Sequence, residues 1–143
     1  MSDSQNQEQL GLIPGRGCAA RRFADGLLRS LGDSAITIRI PNPSTGDTGS
    51  QLGLEAPTAS DLQIYPAVVK PLSPAQDGRR RLEAVVSATS LKAVAKTYQV
   101  QDIVAWLESA QGILHRDQLM RIDTVTVDRF LGADCLYHLT ATE

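Results

Sequence analysis

The stretch LMRIDTVTVDRFLGADCLYHLTA, Leu119 to Ala141, decides the fold. Its two ends read as strands, from about Leu119 to Val127 and from Cys135 to Ala141, joined by a tip that contains Gly132 and Asp134; together they make a β-hairpin. In the second strand Cys135, Tyr137 and Leu139 share one face. In the first the apolar phase slips: Met120 and Ile122 hold one parity, Val125 and Val127 the other. Because side chains alternate with a period of two, such a slip requires a β-bulge or bend near Asp123. A bent strand lets a short sheet curl, which suits a small barrel.

Working upstream, Val100, Ile103, Val104 and Leu107 fall on one face of a helix over Val100–Ala110 that Gly112 is expected to terminate, and a shorter helix covers Leu91–Tyr98. Strands are expected at Leu62–Val69, at Arg80–Ala88 and, with Ile36, Ile38 and Ile40 alternating with Thr37 and Arg39, before Pro41. Phe23, Leu27, Leu28 and Leu31 recur at helical spacing ahead of Gly32, so an amphipathic helix spans Cys18–Leu31. The fold class is therefore α+β, mainly β: a small β-barrel or sandwich with an N-terminal helix and a short helical insertion before the last hairpin. Residues 1–15 read as a flexible polar arm and residues 16–143 as one domain, interrupted by a long Gly/Pro/Ser/Thr-rich loop at 41–60.

Composition narrows the class further. Hydrophobic residues make up 42% of the 143 and aromatics only 4%, so the core is expected to be aliphatic around a lone Trp106. A net charge of -2 argues against bulk electrostatic binding of nucleic acid, which needs a basic excess. The polar start, Met1 to Gln9, lacks the pattern of a secretory signal, and no apolar run reaches the roughly 18 residues of a membrane span. A reduced, cytoplasmic product is expected, with Cys18 and Cys135 as free thiols.

No nucleotide-binding loop, nucleophile elbow, zinc spacing or calcium loop occurs in the sequence, and the expectation is no enzyme, no cofactor and no metal. His138 alternates with Tyr137 and Leu139 and should face solvent or an interface; His115, beside Arg116 and Asp117, reads as a solvated turn residue. Cys135 behaves as a small buried apolar residue, while Cys18 sits near arginines that could lower its pKa.

Two basic clusters stand out: Arg16, Arg21, Arg22 and Arg29 along the first helix, and Arg79, Arg80 and Arg81 at the start of the third strand. Between Arg16 and Arg39, five arginines face only Asp25 and Asp33, whereas Met1 to Gly15 carries Asp3 and Glu8 and no base. These arginines either solvate exposed faces or pair with an acidic neighbour in an assembly; contact with phosphate is a third option. Thr45, Asp47, Gln51 and Glu55 in the long loop complete the interface candidates.

Leu119-Met120-Arg121-Ile122-Asp123-Thr124-Val125, a tip with Gly132, and Leu136-Tyr137-His138-Leu139-Thr140 resemble the ending of bacteriophage head-tail connector proteins of the head-closure, or stopper, type. The upstream order of helix, strand, long loop, two strands and helical excursion is similar to their layout; the arm before Arg16 is longer than such a barrel needs. The resemblance implies a virion protein, assembled in the host cytoplasm, that forms a homo-oligomeric ring beneath the portal and adaptor. It would hold packaged DNA in the capsid, with contact to that DNA as an option, and dock the tail, with no membrane partner. Two rivals stay open: a tail terminator or tail-completion protein, and an oligonucleotide-binding barrel, for which exposed aromatics on the strands would be expected.

Overall fold

The computed structural model describes residues 14–32, 34–41 and 59–143, with side chains from Gly17 onward. The elements are α1 (Pro14–Leu31), β1 (Ser34–Pro41), β2 (Ala59–Leu72), β3 (Arg81–Ser87), α2 (Ala88–Thr97), α3 (Ile103–Glu108), β4 (Gly112–His115), β5 (Gln118–Phe130) and β6 (Ala133–Thr142). The six strands close into an antiparallel barrel in the order β1-β2-β3-β6-β5-β4, with β4 returning to β1. The chain is thus mainly β, and the barrel is closed.

Alternation explains the closure. Ile36, Ile38 and Ile40 of β1, Leu82, Ala84 and Val86 of β3, and Cys135, Tyr137, Leu139 and Ala141 of β6 all point inward and are buried. The parity slip in β5 is a real irregularity: the β5–β6 register shifts between Ile122 and Thr124, so Ile122 and Val125 both pack against the core. Without the extra residue, Val125 and Val127 would face water. The aromatic at the core's centre is Tyr137, not Trp106; Trp106 is half-buried and packs from outside, its ring 6.1 Å from that of Tyr98.

α2 and α3 belong to the same core, because Leu91 and Leu107 are fully buried in it. Ser87 ends β3 one residue before the expected strand end, since its side chain caps α2 by accepting from the Ser90 N–H. Asp102 caps α3, accepting from the Ala105 N–H at 3.2 Å. Gly112 does not simply end a helix: it opens β4, the strand that closes the barrel, pairing with Arg39 of β1.

α1 runs from Pro14, so the last two residues of the expected arm are helical, as suits proline at a first helical position. The Gly32 N–H donates to the Leu28 carbonyl at 3.1 Å and finishes the helix where expected. Its packed face keeps only Leu28 of the expected apolar stripe. Ala24 and Leu28 are buried, whereas Phe23, Leu27 and Leu31 are exposed, Phe23 by 75%. Small residues let the helix approach the barrel closely, and a Cβ on Gly17 would stand 3.1 Å from the Ala133 Cβ. Phe23, Leu27 and Leu31 are thereby left on the outer side. The expected long loop is also shorter at both ends, since Pro41 pairs with Ala59 and Ser60 with Ile40.

Candidate functional site

The two ends of the barrel differ. At one, the β5–β6 hairpin turns through Leu131 and Gly132, with Phe130 paired to Ala133; at the other, Arg81 pairs with Thr142. The length of β6 separates them by roughly 30 Å. α2 follows the hairpin-side end of β3, and the β4–β5 turn, Arg116-Asp117, lies at the opposite mouth with the start of β3.

That mouth holds a cleft of about 320 Å³. Val69, Leu82 and Met120, all core residues, form its floor, while Arg80, Arg81, His115 and Arg116 line its walls. Arg80 is already engaged: its Nε lies 2.9 Å from Glu143 Oε2, and it also donates to Gln118, whose amide donates to Glu143 at 2.6 Å. Glu143 is held below the usual carboxylate range by the Arg80 hydrogen bond. Arg81 and Arg116 have no hydrogen bond or ion pair from their side chains among the described residues.

The expected Arg79–Arg81 cluster therefore divides. Arg79 pairs with Asp77 at 3.1 Å, outside the cleft, and Arg80 and Arg81 join His115 and Arg116 inside it. Sequence reading missed the last two because β4, at four residues, is too short to show alternation; His115 ends that strand instead of sitting in the turn. The sequence carried no turn signal there, because Arg-Asp is not a pair that favours a two-residue hairpin turn, although both residues take positive φ, 50° and 64°.

On α1 the arginines differ in what they meet. Arg21 donates to the Asp134 carbonyl at 3.0 Å and fastens α1 to the hairpin, while Arg22 and Arg29 are exposed. The Asp134 carboxylate meets Arg129 at 2.7 Å and Lys92 at 3.8 Å, tying α2 into the same node. The Arg16 side chain, and Thr45, Asp47, Gln51 and Glu55 with the loop at 42–58, lie outside the described residues.

Beside that node, between α1 and the hairpin tip, runs an apolar groove of about 520 Å³ lined by Ala20, Phe23, Leu27, Phe130, Leu131 and Leu136. Leu131 takes φ 52°, a conformation that favours asparagine or glycine. Cys135 is buried beneath the groove and Cys18 is exposed.

His138 faces outward, as its alternation predicts, and is clamped: Nδ1 lies 3.0 Å from Glu83 Oε1 and Nε2 2.6 Å from Asp128 Oδ2. With both nitrogens engaged it has no lone pair to offer a substrate or an ion. Among the described residues no group of three His, Cys, Asp or Glu side chains is placed to hold a metal, and no helix is long and apolar enough to cross a membrane. No protein-family model matches the chain, and no curated protein or solved structure matches it.

Proposed function

We propose that this chain is a virion structural protein that assembles into a homo-oligomeric ring at a bacteriophage head-tail junction, closing the DNA-filled head and offering the tail a docking surface. The observation that carries this reading is the apolar groove. Phe23, Leu27, Leu31, Phe130 and Leu131 are all exposed by 43% or more, an apolar area on the order of 500 Å². A standard interface buries about 800 Å² per partner, a little over half of it apolar, so the patch matches the apolar part of one such interface. The occupant is a second copy. Head-to-tail contacts between different faces of identical copies close into rings when the rotation permits. A leucine kept at a left-handed turn position, where asparagine would be better suited, supports a role for its exposed side chain.

The order of elements supports the same reading: helix, strand, two strands, helical excursion and closing hairpin around a barrel are similar to the stopper layout, with the short β4 added between excursion and hairpin. Against the oligonucleotide-barrel alternative, the strands expose Tyr65 and Phe130 but no row of aromatics across a sheet face. The tail-terminator alternative shares the ring and differs in what the ring binds.

Native mass spectrometry and negative-stain imaging of the purified chain test the proposal. Closed rings are expected, and Phe23→Ser and Leu131→Asn should return them to monomers without loss of fold. Rings that bind DNA-filled heads mark a stopper and rings that bind bare tails mark a terminator. A chain that stays monomeric at high concentration and binds neither particle overturns the assignment.

A further inference from the structure

We infer that the open mouth of the barrel is a binding site for phosphate oxyanions, gripped by Arg81 and Arg116. Elsewhere on the barrel, arginines stand beside carboxylates: Arg39 with Asp61, Arg79 with Asp77 and Arg129 with Asp134. In the cleft, Glu143 and Gln118 are spent on Arg80, which leaves two guanidinium groups on different elements facing one concavity with no acid of their own among the described residues. A concave, low-dielectric wall concentrates the field of such charges at its centre.

Phosphate fits better than carboxylate. A carboxylate presents two oxygens in one plane and satisfies one guanidinium fork, as Asp61 does with Arg39. A phosphate presents a tetrahedral set of acceptors, so one group can serve a fork from β3 and another from the β4–β5 turn. Met120, Leu82 and Val69 give the cleft an apolar floor, and no Phe, Tyr or Trp lines it to stack a base. Recognition therefore ends at the phosphate and is indifferent to base sequence.

Arg116 supplies an independent observation. It occupies a left-handed position in a two-residue hairpin turn that Asn-Gly would fill with less strain, and Asp117 occupies the second such position. A bulky arginine held there against local preference, with its side chain in the cleft, is what a functional side chain looks like. The cleft is complete in one copy and does not depend on ring formation.

The test measures binding of a labelled short oligodeoxythymidylate to the full chain by fluorescence anisotropy across a salt series, with inorganic phosphate and a polyglutamate peptide as competitors at matched ionic strength. Salt-sensitive binding is expected. Arg81→Gln and Arg116→Asn should each weaken it about tenfold and flatten the logarithmic salt slope by about one; Arg79→Gln, outside the cleft, should leave it unchanged. Because asparagine suits the turn, Arg116→Asn should also raise the melting temperature by a few degrees, separating lost binding from lost fold. Displacement by inorganic phosphate points to small phosphorylated ligands, and binding of the oligonucleotide alone to a polynucleotide backbone; both support the site. Equal binding of polyglutamate, or equal losses in all three variants, would overturn it. A monomeric chain that still binds phosphate would refute the ring and leave this site standing.

Discussion

His138 and Glu83 join β6 to β3 through a 3.0 Å contact on the outside of the barrel, and the other ring nitrogen of His138 reaches Asp128 of β5. Lys70 of β2 adds to the line, 3.4 Å from Glu83, so one row of charges spans four adjacent strands. Only the imidazolium can donate to both carboxylates at once. Burial pulls the His138 pKa down, but the hydrogen bonds it donates to Glu83 and Asp128, and their charges, outweigh it, and the pKa is raised. The Glu83 carboxyl is held below its usual value, chiefly by the His138 hydrogen bond.

Stability should therefore fall as the solution becomes alkaline. A histidine with a raised folded pKa contributes fully below its unfolded value, about 6.5, and loses that contribution as pH rises through the folded value. Glu83 contributes above its unfolded pKa and loses its share as pH falls through the lowered folded one. Urea midpoints measured from mildly acidic to alkaline pH should decline as pH rises from the unfolded histidine value, about 6.5, through the raised folded one, and His138→Gln should flatten that decline. A His138 ring-proton titration centred at or below the ordinary histidine value would contradict it.

Much of the barrel was legible because its strands obey a period of two, and even the bend at Asp123 was written in the phase of Met120, Ile122, Val125 and Val127. β4 was not, because four residues beside a helix carry too little pattern to separate strand from cap. α1 misled for a physical reason: Phe23, Leu27 and Leu31 of its periodic stripe are left exposed, and the packed face combines Leu28 with small residues, Gly17 and Ala24, that carry little signal. The arginine runs were visible, yet sequence adjacency could not say that Arg79 and Arg81 part company or that Arg116 arrives from the turn between β4 and β5.

Two glycines should respond oppositely to alanine. At Gly112 an added Cβ would stand 2.4 Å from the Met120 carbonyl oxygen, and both partners are backbone of paired strands. Neither can yield without opening the barrel seam, so Gly112→Ala should cost about 3 kcal/mol. Gly26 is exposed in the middle of α1 with nothing within 4 Å of an added Cβ; Gly26→Ala should gain about 0.5–1 kcal/mol through helix propensity. Denaturant midpoints of the two variants read the signs directly.

Thiol chemistry should distinguish the two cysteines. Cys18 is exposed and Cys135 is 5% exposed beneath the apolar groove. A small maleimide should label Cys18 rapidly in the native protein and Cys135 at a rate set by opening of the hairpin, rising to that of Cys18 in denaturant. Mass spectrometry of tryptic peptides over a labelling time course checks this; fast native labelling of Cys135 would show that α1 does not stay seated on β6.

Ser87 should be the polar residue whose loss costs most. It is fully buried, its hydroxyl donates to Asp25 of α1, and the same oxygen accepts from the Ser90 N–H at the start of α2. One side chain thus joins the end of β3, the cap of one helix and the flank of another. Ser87→Ala removes a cap and leaves Asp25 without that partner, two losses that together amount to about 2 kcal/mol. Asp25→Ala alone removes the carboxylate and leaves the cap, at about 1 kcal/mol. Because both variants break the same bond, the double variant should cost less than the two singles combined, a coupling of 0.5 kcal/mol or more by the usual range of contacting pairs, about 0.5–3 kcal/mol. Urea unfolding of the four proteins with unchanged slopes measures it, and strict additivity would mean that α1 is held by Ala24 and Leu28 without help from Ser87.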